Sequence, residues 1–566
     1  MEELLSFNPL DSPFAIQSPV GKLYDFLDDP ESFPLDESAS IWGFDPASLD
    51  LTNYLTSPSP ECVEYGSPSE SQSIIPEHFG PGCWLSLCSS SGLAWVQQAH
   101  GTGDFATIAG DLTAAWAKQL RLERNEPTIR SAEPEQRLAL EYVDAYFKRS
   151  VDSLFEAIHQ LDFQQQLRSH FENPNPNEDP VSYAIRNTVY ASGCRLHSSA
   201  NYAASFDAIQ KEAWGYFSNA LSVHSELLLR SPSIGAVRAL LAMALFAEGL
   251  GSPALGSGLI ANAALVAQAL GLHKRVTCVE ATSKGDGLKN TWLFWAVYCC
   301  EKNISRRIGR SSVIVDDDVT CEIPIMAHPN SALDPIFLTS IIQNCQISSG
   351  ICKALSARGL HDQPARLLEI VRKYNQELLS WETSLAAEMR PRTCYKYNDD
   401  VQLSRTLAII LLHCSFCDLL MILNAPFAYP WINSGFRKDS NGETKIAAQI
   451  SESSATIVES ARKIIVMTRH FDLNGANTHS FMLHYPMHAF INLFIHVLKS
   501  PASASVRSDM ALLDVAVGYF GQLDFLTGSK LEFPFARDIA VFARRTVDNY
   551  PGHPSQSTGI RGSGKQ

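Results

Sequence analysis

No stretch of this sequence concentrates lysine and arginine in the way that gripping nucleic-acid phosphates requires. Lysine and arginine number 45 against 60 acids, for a formal charge of −15. The deficit is local. Residues 1–80 hold 15 of the acids and a single base, Lys22, and the remaining 44 bases nearly balance 45 acids. The densest basic group, Arg306, Arg307 and Arg310, falls at the end of an expected helix, where cations offset the negative end of the helix dipole. Thirteen cysteines are scattered from Cys62 to Cys417, without the close C-x2-C-x6-C spacing that lets six thiolates bridge two zinc ions. The acidic N-terminus lacks the basic region of a signal peptide, so a reduced, intracellular protein is expected. No uncharged apolar run approaches about 18 residues. The richest, Leu407 to Cys417, is bounded by Arg405 and Asp418, so a buried helix and no membrane association are expected.

Catalytic signatures are missing as well. The chain has neither a G-x-S-x-G nucleophile elbow nor a G-x-G-x-x-G dinucleotide loop. Gly559 to Lys565 satisfies G-x4-G-K, but Gln566 follows with no Ser or Thr and no helix to aim amides at phosphate. His413, Cys414 and Cys417 share one apolar helix, and the cysteines continue its hydrophobic stripe, which favours core packing over a metal site. His484 and His488 are four apart, yet Pro486 lies between them and no H-E-x-x-H glutamate is present. His159 has no partner at metal spacing. The expectation is therefore a protein that is not an enzyme, with no catalytic, metal-ligating or DNA-binding residues and no cofactor.

What the sequence does contain is an acidic head and a long helical body. Residues 1–80 are rich in Pro and Ser, with hydrophobics in bursts such as Leu23, Tyr24, Phe26 and Leu27, then Ile41, Trp42 and Phe44. Such a segment buries too little to offset its ordering entropy. Its alternation of acids and bulky hydrophobics is that of disordered activation regions; an ordinary disordered tail is the other reading. Residues 81–134 read as a linker with short helices, 135–550 as an all-α body, and 551–566 as a disordered tail. In the body, Ile234, Val237, Leu241 and Leu245 mark a helix ending near Gly249. An alanine-rich helix over Leu259 to Leu272 follows, and small residues let the two pack as a hairpin. Leu367 to Leu385, Leu403 to Met421 and segments near 456–470, 481–498 and 508–526 repeat at helical spacing. Residues 172–180 form a loop. The stretch 137–163, with Phe155, His159 and Phe163, also reads as helical.

The most informative segment is Leu288 to Pro324. Leu288, Trp292, Trp295 and Cys299 form one apolar stripe, and Leu293, Val297, Cys300, Ile304 and Ile308 form a second. A helix apolar on two faces is buried between neighbours. Gly309 is placed to end it in the left-handed conformation. An extended stretch, three aspartates and Pro324 follow. This pattern resembles the regulatory middle homology domain of fungal transcription factors. That family shows a W-x-LF/W-A-x-Y helix, a D/E-R/K-x-x-S-x-x-x-G-R-P turn and an I-x-D-x-D-x-x-x-x-P run. Trp292, Phe294, Trp295, Ala296, Tyr298, Glu301, Lys302, Ser305, Gly309, Arg310, Ile314, Asp316, Asp318 and Pro324 match it. Gly271, Leu272 and His273 match the family's L-G-L-H element. Ser311 stands where the family usually has proline, which loosens the turn after Arg310. At the opening segment the family's prolines are replaced by Ser153 and Glu156, which predicts a more continuous helix there.

The resemblance spans roughly 140–530 and implies a nuclear regulatory domain that restrains or transmits activation, by homo- or heterodimerisation or by sensing a small molecule. It implies structural roles for the motif residues, with Arg310 expected to dock against a carboxylate, Asp316 or Asp318, or against helix-end carbonyls beneath the tryptophan helix. Many members control pathway genes, secondary-metabolite genes among them. The family's zinc cluster for reading DNA is not in this chain. A regulator without its own reader and a reader encoded upstream of Met1 both stay open, and zinc is expected only in the second case. The partners implied are the transcription machinery or a DNA-binding protein. An all-helical metabolite-binding protein or enzyme that reuses the fold is the alternative.

Overall fold

A computed structural model of the chain describes residues 83–550, except 102, 120–130, 176, 199–205, 250–251, 276–283, 330, 332, 358, 361–362, 392–402, 435, 437–442, 472–479 and 529–532. The acidic segment 1–80 and the tail 551–566 lie outside the described residues. Among these the regular structure is helical, with no strand, as the spacing of apolar residues predicts.

The chain runs through α1 (Ser90–His100), α2 (Asp104–Gln119), α3 (Gln136–Arg149), α4 (Gln160–Glu172), α5 (Pro180–Ser198) and α6 (Phe206–Ser222). It continues with the short α7 (His224–Leu229), then α8 (Ile234–Gly249), α9 (Pro253–Ala269) and α10 (Lys284–Arg307). After a long loop come α11 (Pro335–Leu355), α12 (Pro364–Ser384), α13 (Leu403–Ala428) and the single turn α14 (Pro430–Asn433). The chain closes with α15 (Glu443–Met467), α16 (Ser480–Lys499), α17 (Val506–Leu526) and α18 (Pro534–Asp548). Proline opens α9, α11, α12 and α18 in the first turn, where its missing N–H costs nothing.

The expected hairpin is α8 against α9. Ala239, Ala242, Ala263, Ala264 and Ala267 are fully buried there, so the backbones approach closely. Helix α10 is buried over Trp292 to Cys300, which accounts for its two apolar stripes. Helix α13 is long and apolar enough over Ala408–Ala428 to cross a membrane by length and composition, but it is mostly buried inside the protein. It packs against α15.

Two expectations change. Of the expected linker 81–134, the described residues from Cys83 to Gln119 carry helices that pack into the core. Trp84, Leu85 and Leu87 are buried in the main core, and Phe105 of α2 stacks on Phe494 of α16 with ring centroids 5.7 Å apart. Aromatics interspersed with polar residues hid this packing in the sequence. The stretch 137–163 is also not one helix. Helix α3 stops at Arg149, a 3-10 turn covers Val151–Phe155, and Glu156 takes a left-handed conformation with φ 42°. Half-buried Arg238 compensates by donating to the freed Ala157 carbonyl at 3.1 Å. The break thus rests on a partner some eighty residues away, which no local pattern reveals.

Candidate functional site

Helix α10 presents a line of donors along one face, and the loop that follows it runs back past them. The Trp292 indole donates to the Met326 carbonyl at 2.9 Å, and the Trp295 indole to the Glu322 carbonyl at 3.2 Å. One turn further, the Tyr298 hydroxyl donates to Asp316 Oδ1 at 2.6 Å. Lys302 then reaches the Ile314 carbonyl at 2.7 Å and Asp316 Oδ2 at 3.3 Å. Residues 292, 295, 298 and 302 share a helix face at spacings of three and four. The loop has no strand partner, so these side chains satisfy carbonyls that would otherwise be orphaned. Pro324 lies between the two carbonyls gripped by the tryptophans, at a position where no N–H is needed.

Both glycines of the motif do what the pattern requires. Gly271 has φ 71° and Gly309 φ 69°, a conformation glycine reaches without steric cost. Each closes its helix with a wrap-around bond, Leu272 N to Ala267 O at 3.0 Å and Arg310 N to Ser305 O at 2.9 Å. The chain after Gly271 then meets the aspartate loop. The His273 carbonyl accepts from Thr320 N at 2.9 Å and Cys321 N at 3.1 Å, and Lys274 donates to the Asp318 carbonyl at 3.0 Å. The L-G-L-H element and the aspartate loop, nearly fifty residues apart, are therefore one assembly held by α10.

The expected pairing of Arg310 with Asp316 and Asp318 does not form. Arg310 is exposed, and its guanidinium donates to the Ser257 hydroxyl at 3.3 Å. Asp318 is exposed too and enters the assembly through its backbone. Asp316 is taken instead by Tyr298, Lys302 and the Ser349 hydroxyl. Burial would raise the Asp316 pKa, but Ser349, Tyr298 and Lys302 together hold it below the ordinary carboxylate range. The turn after Gly309 is stabilised by buried Glu301, which accepts from Ser312 Oγ at 2.6 Å and Val313 N at 2.8 Å. Arg310 sits beyond the helix end, so its charge stays with solvent.

The next turn of α10 enters a second polar cluster that sequence reasoning missed. Arg306 pairs with Asp418 of α13, and Arg307 with Glu248 of α8. Asp418 is fully buried and also contacts two histidines of α16, His488 Nδ1 at 2.6 Å and His484 Nε2 at 3.6 Å. Burial would raise the Asp418 pKa. Arg306 and the neighbouring His484 and His488 outweigh it and hold the carboxyl well below its usual range. Burial pulls His484 down to about 4. Asp418, His484 and His488 offer donor atoms within 4.8 Å of one another, a chemistry that suits a divalent ion. The Arg306 guanidinium on Asp418, however, already supplies the positive charge such an ion would bring. The histidine pair was visible as an i, i+4 repeat, and Pro486, which sits inside α16, does not separate the rings. Their partner, 70 residues away, gave no local signal. His413 behaves as expected of a core histidine, buried and in hydrogen-bond contact with the Met389 carbonyl at 3.2 Å.

Between the two clusters lies a cavity of about 640 Å³. Its mouth is formed by the Gly309 to Ser312 turn and Lys353, and His484 and His488 stand in its wall.

The tryptophan helix, the G-R turn and the aspartate loop thus interlock within one all-helical body. Residues 143–392 match the fungal specific transcription factor domain. The match ends short of the 530 expected from the resemblance. Curated relatives extend it. An ABC-transporter-regulating transcription factor of Aspergillus oryzae is 24% identical over 475 residues, covering 79% of this chain and 51% of that protein. The fusaridione A cluster transcription factor of Fusarium heterosporum is 22% identical, covering 62% of this chain and 66% of that protein. The lactose regulatory protein of Kluyveromyces lactis is 24% identical, covering 50% and 30%. The chain spans about half the length of the first of these relatives. No solved structure matches.

Proposed function

We propose that this protein is a fungal-type transcription regulator that acts in the nucleus on pathway genes, secondary-metabolite genes among them. The helical body serves as an effector and dimerisation domain. The observation that supports this best is the family match over 143–392, because it falls on the segment whose motif residues interlock. The names of the relatives, one regulating an ABC transporter and one belonging to a fusaridione A cluster, support the choice of pathway genes. In this reading the chain is not an enzyme. It works with the transcription machinery, a DNA-binding partner or a second copy of itself. The acidic segment 1–80 supplies activation, its bulky side chains engaging a partner groove while the acids keep them solvated. Deleting the gene and profiling transcripts tests the reading. The expected result is loss of expression across a discrete set of co-regulated genes; an unchanged transcript profile overturns it. Within the head, residues 1–60 fused to a neutral DNA-binding domain are expected to activate a reporter. Replacing Phe26, Leu27, Trp42 and Phe44 with alanine abolishes that activity although every acid is retained.

A further inference from the structure

The cavity between the motif assembly and the Asp418 cluster has a charge arrangement that the fold alone does not require. Lys302, Arg306, Arg307, Arg310 and Lys353 all line it, whereas the only carboxylate in its wall is Asp316. Asp418, Glu248 and Asp317, which pair with Arg306, Arg307 and Lys353, do not line it. The negative partners are recessed behind the cations, and the interior faces positive charge. Toward the mouth, Arg310 is held by one hydroxyl contact, to Ser257. Lys353 is committed only to an exposed pair with Asp317 at 3.2 Å, an interaction worth little in water. Both are therefore available to a ligand at small cost.

Deeper in, the wall holds buried polar atoms that the protein leaves unused. His484 Nδ1, His488 Nε2 and Arg306 Nε are buried without a hydrogen-bond partner, and all three residues line the cavity. Burying such groups unpaired is costly, a cost that a bound polar group removes. Trp84, Ile314, Ile422 and Pro426 supply an apolar side. The volume suits a molecule of metabolite size.

We propose that this cavity binds a small organic anion, with its acidic group held by Arg310 and Lys353 toward the mouth and its apolar body set against Trp84, Ile314 and Ile422. Such a ligand touches the turn after α10 together with residues of α11, α13 and α16, so binding stiffens their junction. It also makes use of Ser311, whose hydroxyl lines the mouth where the family usually has proline. The proposal goes beyond gene regulation, and its test reads binding directly.

The probe is 8-anilinonaphthalene-1-sulfonate, an anion on an apolar aromatic body, with N-phenyl-1-naphthylamine as the uncharged analogue. On the full chain the anion is expected to bind saturably, at one site, and more tightly than the analogue. The Arg310→Gln, Lys353→Gln double variant is expected to weaken the anion about tenfold or more, as loss of charge-assisted bonds implies, and to leave the analogue unchanged. Both positions are exposed, so circular dichroism and melting should match the parent chain. Ser311→Trp, which narrows the mouth, is expected to reduce binding of both probes. Displacement of the sulfonate by benzoate or by phenyl phosphate supports the proposal and tells a carboxylate ligand from a phosphate one. Equal binding of charged and neutral probes, an unaffected double variant, or displacement by neither competitor overturns it.

Discussion

Two carboxylates organise the interior near α10, and they do so on different terms. Asp316 is half-buried and lies 18 residues from Tyr298 and 14 from Lys302. Its partners are a phenol, an ammonium and a serine hydroxyl. Asp418 is fully buried and lies 112 residues from Arg306 and 70 from His488. The first carboxylate closes a local loop, and the second ties α10, α13 and α16 together. Because Lys302 and Arg306 are one turn apart on α10, the same helix serves both. The contrast shows that a motif legible in sequence can fix a loop while a silent cluster fixes the arrangement of helices.

The largest effect is expected at Asp418. Arg306→Met leaves that carboxylate buried without its cation, with only the two histidines against it, and should cost about 3–5 kcal/mol. Adding Asp418→Leu should restore much of the loss, because an apolar pair is often tolerated where an ion pair was buried. Denaturant unfolding of the two single variants and the double variant measures this. Additive losses would show that the pair is not coupled.

Acid sharpens the comparison next. Burial lowers His413 and His484 from 6.5 to about 4. Between those values the unfolded chain takes up protons that the folded chain refuses, so stability falls as pH drops through the window. Each histidine should cost about 2 kcal/mol at pH 5, from some 1.5 units at 1.36 kcal/mol per unit. Asp152 works the other way. Burial pushes it up to about 7, so the folded chain keeps a proton that the unfolded chain releases, and acidification below 7 favours folding through this group. The clean readout is therefore a difference between chains. The loss of stability from pH 7 to pH 5 should be about 4 kcal/mol smaller in His413→Asn, His484→Asn than in the parent. Equal losses would refute the assignment.

The smallest effects belong to the motif loop. Asp316→Asn should cost about 1–2 kcal/mol, the loss of charge-assisted bonds at a half-buried site. Arg310→Ala should stay within about 0.5 kcal/mol, as for surface positions away from such networks. A melting temperature lowered as much by Arg310→Ala as by Asp316→Asn would show that the arginine is structural after all.

The difference between these regions also marks how far the sequence could be read. Helix α10 and its glycine end were legible because period, turn chemistry and family pattern all act over short range, whereas the docking of 271–273 on the aspartate loop, nearly fifty residues away, was not. The Arg310 pairing was misread. Opposite charges near each other in sequence suggested a contact, whereas Tyr298, Lys302 and Ser349 hold the better geometry around Asp316. The Asp418 cluster showed only its histidine pair, because its members sit on α10, α13 and α16, each of which reads as an ordinary buried helix. The packing of Trp84 and Phe105 into the core was hidden because their aromatics are interspersed with polar residues.

The central claim is that this helical body belongs to a regulator of transcription, and tethering tests it most directly. The full chain, fused to an unrelated DNA-binding domain and directed to a reporter promoter, should change reporter output. Arg306→Met, which unties the helices, should abolish that change, whereas Arg310→Ala should preserve the fold that supports it. A fusion that is nuclear, folded and bound at the promoter yet leaves transcription unaltered would contradict the account.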